Sequence, residues 1–235
     1  MGAVGTVEAV NPRTVLLDLD GTLVDSATGI TEHLTAAMVV AGGPLHPAAT
    51  LRGFIGPPFE AFMPGLGLDP NQIRAATAEY RRTYDPVAAS LSLPYPGVIE
   101  LLERLRAKEM QLAIATSKPE SLARAIIADN GLGSYFQVIG GADVASGRTG
   151  KAAVIGSVLA RLDLLNDSSP VMVGDRLHDV LGAAAHGLAT IGVSWGYAET
   201  DELVTAGAVV VVDTPAALGG VLLGQVLCAG ISHAD

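Results

Sequence analysis

Short apolar runs alternate with helix-length amphipathic stretches along most of the chain, and this alternation limits the possible folds more than any other feature. Runs that are apolar on both faces predict strands of a parallel sheet covered by helices. We therefore predict an α/β fold with a doubly wound, mainly parallel sheet. The predicted strands are Thr14–Asp18, Gln111–Thr116, Phe136–Ile139, Val171–Gly174, Thr190–Val193 and Val209–Val212. The predicted helices that follow them are Gly97–Lys108, Pro119–Asn130, Lys151–Leu164, Leu177–His186 and Pro215–Leu227.

One long segment interrupts the alternation after the first strand. Residues 28–94 hold no good strand, but they contain two predicted helices, Ile30–Ala41 and Asn71–Tyr84, on either side of a Gly/Pro-rich stretch. An all-helical insertion of this length predicts a second module that covers a site on the sheet. The predicted domains are a catalytic core at 1–27 and 95–235, and a helical cap at 28–94.

Composition excludes several classes of protein. The chain is 49% hydrophobic and only 16% charged, whereas disorder requires low hydrophobicity and high charge. Its net charge of −10 argues against a nucleic-acid partner. No apolar run approaches the roughly 20 residues of a membrane span, and the first residues lack the pattern of a signal peptide. Cys228 is the only cysteine, which excludes a disulfide within the chain, so we expect a cytoplasmic protein.

Two carboxylates, Asp18 and Asp20, come directly after the first predicted strand and are followed by Gly21 and Thr22. If the strand continued, both carboxylates would lie on one face and repel each other. A cation, or protonation of one partner, would relieve the repulsion, which favours one carboxylate as nucleophile and the other as general acid. Gly21 and Thr22 offer backbone amides to an anion. An acidic turn with a helix cap is the alternative.

The second predicted strand ends in Thr116-Ser117-Lys118, before Pro119 and Glu120. Ser117 and Glu120 predict a capping box, and a helix N-terminus at a strand end can bind an anion. Thr116 would add a hydroxyl and Lys118 a positive charge. A plain capped helix would explain Ser117 and Glu120 but not the other two.

Asp175 and Asp179 follow the fourth predicted strand, and Lys151 opens a predicted helix. The two aspartates are four residues apart, so they would share a helix face and repel unless neutralised. Carboxylates in such a pair suit Mg²⁺, which also takes water and phosphate ligands. The alternatives are an N-cap and a first-turn anion for the aspartates, and a solvated helix-start lysine for Lys151.

Taken together, these residues resemble the haloacid dehalogenase superfamily of phosphohydrolases. Its four motifs match Asp18–Thr22 (DxDGT), Thr116, Lys151 and Gly174–Asp179 (GDxxxD), in the family order. DLDGTLVDSATGI, FIGPPF, ATSKPE, MVGDRLHDVLGAAAHG and SWGY are similar to the branch of phosphoglycolate phosphatases and 5′-nucleotidases.

The resemblance implies a Mg²⁺-dependent phosphatase that acts on a small phosphorylated metabolite, phosphoglycolate-like or a nucleoside 5′-monophosphate. Asp18 would be the nucleophile and Asp20 the general acid and base. Mg²⁺ would be held by Asp18, the Asp20 carbonyl and Asp175, with Asp179 acting through water or by holding Lys151. Substrate binding would fall to Gly21, Thr22, Thr116, Ser117, Lys118, Lys151 and Arg52. Arg52, Arg81 and Arg82 are the cap cations most able to reach a second anionic group. A monomer or small homo-oligomer is expected.

Two other functions fit parts of the sequence. Gly192–Gly196 matches the GxSxG elbow of serine hydrolases, with Ser194 followed by Asp213 and His233, but Trp195-Gly196-Tyr197 is a poor helix start. A receiver-like signalling module would accept phosphate on Asp143, at the end of the third strand. Neither reading explains the aspartate pairs, Lys151 and the helical insertion together.

Overall fold

The computed structural model describes residues 13–57, 59–164 and 170–224. Six of its strands form one parallel sheet, and a two-residue antiparallel pair, β2 with β3, lies apart from it. The strands are β1 (Thr14–Leu17), β2 (Val24–Asp25), β3 (Leu93–Pro94), β4 (Gln111–Pro119), β5 (Val138–Ala142), β6 (Val171–Gly174), β7 (Thr190–Val193) and β8 (Val210–Val212).

The strand order in the sheet is β5-β4-β1-β6-β7-β8, with every neighbouring pair parallel. The chain therefore builds outward from β1 to one side and then to the other. Ligands bind where such an order reverses, beyond the carboxyl ends of the central strands. β1 lies between β4 and β6, so their carboxyl ends meet at one edge. The α/β fold with a doubly wound parallel sheet is confirmed.

Helices cover both faces of the sheet. They are α1 (Ala27–Val40), α2 (Ala48–Arg52), α3 (Phe59–Phe62), α4 (Pro70–Tyr84), α5 (Val98–Ala107), α6 (Glu120–Asp129), α7 (Lys151–Arg161), α8 (Leu177–Ala184), α9 (Glu202–Ala206) and α10 (Pro215–Leu222). On β1, Leu16 joins an apolar cluster with α7, whereas Val15 and Leu17 join a larger cluster with α5, α6 and α10. Burial on both faces is why the strands are continuously apolar.

The segment between β2 and β3, residues 26–92, has helices joined by turns and no strand among its described residues, and is called the insert below. It contains α1 to α4, and α1 packs along α4. Asp69 begins α4 with a capping box, because its side chain accepts from the amide of Gln72 while the Gln72 side chain accepts from the amide of Asp69. β2 and β3 pair at the base of the insert, too short to be predicted from sequence pattern.

The predicted capping box of Ser117 and Glu120 is wrong. β4 continues through Pro119, and α6 begins at Glu120 with no side-chain cap. Glu120 instead binds Arg124 and Arg161 through its carboxylate, at 2.7 and 3.0 Å. The short-range pattern predicted that the helix begins at Ser117. The pairing of β4 with β5 extends to Pro119 instead, so the helix begins later.

The remaining differences are at element ends. The strand predicted at Phe136–Ile139 is displaced to Val138–Ala142, and the helix predicted to reach Leu227 ends at Leu222. Cys228 and His233 lie outside the described residues. No helix in the described ranges has the length and apolarity needed to cross a membrane.

Candidate active site

Three buried carboxylates meet at the carboxyl edge of the central strands. Asp18 follows β1, while Asp175 and Asp179 follow β6, and oxygen atoms of all three lie within 4.8 Å of one another. The residues are 6%, 0% and 1% exposed, respectively. Burial removes water from these charges, so they repel one another strongly unless a cation lies among them.

Lys151 at the start of α7 supplies one cation. Its Nζ lies 2.7 Å from Asp18 Oδ1 and 2.6 Å from Asp179 Oδ1, and it donates to the Ala115 carbonyl at 3.1 Å. Burial opposes its charge, but the two carboxylates outweigh burial and raise the pKa of Lys151. Gly182 makes room for this side chain, because a Cβ there would lie 2.6 Å from Lys151 Cγ. The position of the Lys151 side chain in the site is therefore fixed both by its ion pairs and by the space that Gly182 leaves.

Asp175 is held by groups from two loops. Its carboxylate accepts from the Thr22 hydroxyl at 3.0 Å and from the Tyr197 amide at 2.8 Å. Burial, followed by the nearby Asp179 and Asp18 carboxylates, raises the pKa of Asp175 well above its usual value. Gly21 has a φ of +83°, and a Cβ there would lie 2.2 Å from Asp175 Oδ2, so this position requires glycine.

The charges of this cluster fit a divalent cation. The three carboxylates outnumber the one ammonium group, that of Lys151, which lies against Asp18 and Asp179. Burial raises the pKa of Asp18 to about 6 against the opposing effect of Lys151. Hard oxygen ligands in an acidic cluster are the donors that Mg²⁺ prefers. The residues present therefore suit the metal that the sequence resemblance implies.

Asp20 lies in a separate network with residues of the insert. Lys118 Nζ donates to its two oxygens at 2.9 and 3.0 Å, and the Ser26 hydroxyl donates at 2.5 Å. Lys118 Nζ also lies 3.3 Å from the Tyr84 hydroxyl, at the end of α4. Sequence reasoning missed Ser26 and Tyr84, because neither lies in a strand-end motif. The position of Ser26, six residues after Asp20, was the only available signal.

The predicted anion-binding residues separate into two groups. Thr116, Ser117 and Lys118 line the same cavity as Asp18 and Asp20, although the Thr116 hydroxyl also accepts from the Lys118 amide at 3.2 Å. Contrary to the prediction, the Gly21 and Thr22 amides donate to the Val24 and Leu19 carbonyls. The Thr22 hydroxyl is used to hold Asp175. The amides of the turn after β1 thus bond carbonyls of the same turn, and its Thr22 hydroxyl holds a carboxylate of the site.

The three arginines of the insert that were predicted to reach the substrate make different contacts. Arg52, an exposed residue, donates to the Gly196 carbonyl of the core at 2.9 Å and lies over the Tyr197 ring. Arg82 pairs with Glu79 on the surface at 2.7 Å. Arg81 lines the cavity above the carboxylates. Of the three arginines, Arg81 is the one that lines this cavity.

The geometry disfavours both alternative functions. A turn follows Ser194, and α9 begins only at Glu202, so Ser194 is not in a strand-to-helix elbow. Asp143 caps a 3₁₀ turn by accepting from the Ala145 amide at 3.1 Å, and it pairs with Arg148 at 3.4 Å. Its role in this structure is a local cap.

Comparison with known proteins identifies the family of the chain. A family model described as haloacid dehalogenase-like hydrolase matches residues 15–193. A crystal structure of a predicted phosphatase from Clostridium acetobutylicum has a TM-score of 0.84, 32% identity, and coverage of 90% of this chain and 98% of that one. The chain belongs to the haloacid dehalogenase-like hydrolase family. The enzyme class predicted from the sequence is thereby confirmed at the level of the family.

Curated relatives carry several activities. The 5′-nucleotidase of Pseudomonas aeruginosa is 36% identical over 196 residues, which cover 83% of this chain and 88% of that protein. The phosphoglycolate phosphatase of Rhodospirillum rubrum is 32% identical over 220 residues, covering 88% and 90%. Tyrosine-protein kinase PtkA of Mycobacterium tuberculosis is 39% identical over 191 residues, covering 81% of this chain. The matched region spans only 65% of the length of PtkA.

Proposed function

We propose that this protein is a Mg²⁺-dependent phosphatase that cleaves a small phosphomonoester, phosphoglycolate-like or a nucleoside 5′-monophosphate. One observation carries the proposal: Asp18, Asp175, Asp179 and Lys151 converge in a buried cluster, and Asp18 lines, together with Asp20, a cavity beside it. Phosphoryl transfer depends mainly on positioning and charge neutralisation, which a cluster of this kind supplies. The names of the relatives support the substrate classes.

In the proposed reaction, a carboxylate oxygen of Asp18 attacks phosphorus in line with the leaving group. The bond from phosphorus to the ester oxygen breaks, and Asp20 gives its proton to that oxygen, which leaves as the alcohol. Asp20 then takes a proton from water, whose oxygen attacks the aspartyl-phosphate. Inorganic phosphate leaves, and both the Asp18 carboxylate and the protonated Asp20 are restored.

Protein contacts position both carboxylates for these steps. Lys151 holds one oxygen of Asp18 at 2.7 Å, which fixes the direction of the attacking oxygen. Lys118 and Ser26 hold Asp20 within 3.0 Å, so its carboxyl group stays beside the cavity. Thr116 and Ser117 offer hydroxyl groups to the phosphoryl oxygens. The insert acts as a cap that excludes water.

Asp18, Asp175 and the Asp20 carbonyl would hold Mg²⁺, while Asp179 would orient Lys151. Magnesium in this position would neutralise charge on the phosphoryl oxygens during attack by an anionic nucleophile. We further propose a cytoplasmic protein, a monomer or small homo-oligomer, with a small phosphorylated metabolite as its partner.

Phosphate release from phosphoglycolate and from nucleoside 5′-monophosphates tests the function. We expect release with Mg²⁺ and none after chelation, and a loss of about 10³-fold or more in Asp18→Asn, since removing a nucleophile eliminates the covalent path. Asp129→Asn, an exposed carboxylate at the end of α6, is the matched control. Activity close to wild type in folded Asp18→Asn would contradict the proposal.

A second candidate function is phosphoryl transfer to a tyrosine hydroxyl. It is favoured by the 39% identity with PtkA over 191 residues. The same aspartyl-phosphate would then be attacked by a hydroxyl oxygen instead of water. Incubation with γ-labelled ATP and a tyrosine peptide separates the two: label in the peptide supports transfer, whereas label in free phosphate alone supports hydrolysis.

A further inference from the structure

Aromatic side chains are rare in this chain but concentrated above the candidate active site. The chain has only four phenylalanines and five tyrosines. Three of those phenylalanines, together with Tyr80, line the cavity that has Asp18 and Asp20 at its floor. The cavity holds about 1250 Å³. The three phenylalanines are Phe54, Phe59 and Phe62.

The rings form a continuous wall that begins beside Asp20. Lys118, which is bonded to Asp20, lies 5.1 Å from the centre of the Tyr84 ring. Tyr84 stacks on Tyr80 with centroids 4.9 Å apart, and Tyr80 meets the edge of Phe59 at 4.4 Å. Phe62 continues the contact, at 5.5 Å from Phe59 and 5.4 Å from Phe54. The series of ring contacts therefore runs from the buried Tyr84 beside Lys118 to Tyr80, Phe59, Phe62 and Phe54, which line the cavity.

Packing within the insert does not fully account for this wall. Phe62 and Tyr80 are 7% and 5% exposed and contribute to the core of the insert. Phe54 and Phe59 are only half-buried, although they line the cavity. Aromatic faces left open in a concave site are a common means of binding flat ligands.

The charges of the cavity argue against a leaving group with a second anion. Five acidic and four basic side chains line it among the described residues, so it has no surplus of positive charge. Lys118 is paired with Asp20, and Arg124 is paired with Glu120 at 2.7 Å. A two-carbon carboxylate such as glycolate would also leave most of the cavity empty.

We infer that the substrate is the phosphate monoester of an alcohol that carries a planar aromatic ring, which lies against Phe54, Phe59 and Phe62. This inference rests on the proposed phosphatase function and deepens it. The ring could be a phenyl group or a nucleobase, since both present a flat apolar face. Specificity then comes from ring contacts along the wall rather than from a second ion pair.

Two matched pairs of esters test the inference by phosphate release in Mg²⁺. They are ethyl phosphate with 2-phenylethyl phosphate, and ribose 5-phosphate with adenosine 5′-monophosphate. Within each pair a primary alcohol leaves, so the comparison isolates the ring contacts. We expect kcat/KM to be about tenfold or more higher for the ring-bearing ester in at least one pair, the size of effect that an aromatic contact in an apolar pocket gives. The responding pair identifies the ring.

Variants of the wall provide the second readout. Phe59→Ala and the milder Phe59→Leu are expected to lower the ring-to-ringless ratio of kcat/KM by about threefold to tenfold. Phe136→Leu changes the one phenylalanine that does not line the cavity, and should keep the ratio. An unchanged ratio in both Phe59 variants would overturn the inference.

The outcomes separate the two proposals. Release from all four esters with no preference for a ring leaves the phosphatase function standing and overturns the aromatic pocket. The same holds if phosphoglycolate is cleaved better than every ring-bearing ester. No release from any ester by folded, Mg²⁺-loaded protein contradicts the phosphatase function, and the substrate class fails with it.

Discussion

At the scale of single residues, the site depends on a balance between buried carboxylates and one buried lysine. Lys151 is within 2.7 Å of both Asp18 and Asp179, and it is itself only 8% exposed. Removing one partner of a buried ion pair leaves an uncompensated charge, which costs about 3–5 kcal/mol. The lysine should therefore contribute to stability as well as to phosphate binding.

This account predicts that Lys151→Met lowers the free energy of unfolding by roughly 3–5 kcal/mol in chelator. Addition of Mg²⁺ should recover part of the loss, because a ligand that binds only the folded state stabilises it. Denaturant titration with and without Mg²⁺ measures both effects. Lys108→Met, at an exposed lysine after α5, is the control and should change little. Equal stability of the two variants would show that Lys151 does not offset the charge of the buried carboxylates.

The same burial predicts a dependence of stability on pH. Asp18 has its pKa raised from 3.8 to about 6, first by burial and then by neighbouring carboxylates, against Lys151. Below about pH 4 the folded and unfolded states both keep the proton, so the group has no effect. Between about pH 4 and 6 the unfolded state ionises first, and the folded state loses stability as the pH rises. Above about pH 6 the cost of keeping Asp18 ionised in the folded state is fully present, and it lowers the free energy of unfolding by roughly 3 kcal/mol.

The free energy of unfolding of Asp18→Asn should therefore rise relative to that of wild type as the pH rises from 4 to 7 in the absence of divalent metal. The difference between the two free energies of unfolding isolates the titration of this one group. Urea titrations at several pH values, with chelator present, measure it. A difference that stays flat or falls over this range would show that Asp18 is not a desolvated carboxylate.

At the scale of elements, two arginines join the insert to the core. Arg176, before α8, is paired with Glu202 at 2.8 Å and donates to the Gly53 carbonyl at 3.0 Å and to the Ile55 carbonyl. Arg52 makes the reverse contact, from the insert to Gly196. Hydrogen bonds to charged donors contribute about 1.5–3 kcal/mol each. These contacts should hold the segment after α2 against the core.

Arg176→Lys should release that segment, because a single ammonium cannot reproduce the planar fork of a guanidinium. We expect the amides of Phe54 and Ile55 to exchange hydrogen about tenfold faster or more, with little change in β1. Hydrogen-exchange mass spectrometry measures both segments. Arg161→Lys, which alters an arginine bonded to Glu120 and Ile139, is the control. Exchange that rises equally in β1 would indicate general destabilisation instead.

The part of the site that depends on strand ends could be predicted from sequence. Asp18, Thr116 and Asp175 each end an apolar run, and the ends of parallel strands must meet at one edge. Contacts between distant elements could not be predicted. Tyr84 reaches Lys118 from α4, and local pattern contains no information about that approach.

The errors have the same origin. The capping box at Ser117 was a correct reading of local preference, which pairing with β5 overrode. The amides of Gly21 and Thr22 were expected to face an anion, but the turn after β1 uses them to bond the Val24 and Leu19 carbonyls. Charge and spacing identify which residues are available, whereas packing decides what each one contacts.

At the scale of the whole molecule, the chain combines a rigid sheet with a helical insert over one edge. The sheet fixes the reacting carboxylates, since β1, β4 and β6 are buried on both faces. The insert supplies just under half of the residues that line the cavity, including all of its phenylalanines, so differences in substrate should follow the insert while the chemistry follows the sheet.

The central claim is that Asp18 becomes phosphorylated during turnover. Rapid acid quench of the protein with Mg²⁺ and a cleavable phosphomonoester, followed by peptide mass spectrometry, tests it most directly. The account predicts a phosphoryl group on the peptide that contains Asp18, which is lost again once substrate is exhausted and is absent in Asp18→Asn. A phosphoryl group on Asp143 or Ser194 instead, or turnover with no label on Asp18 at any quench time, would contradict the account.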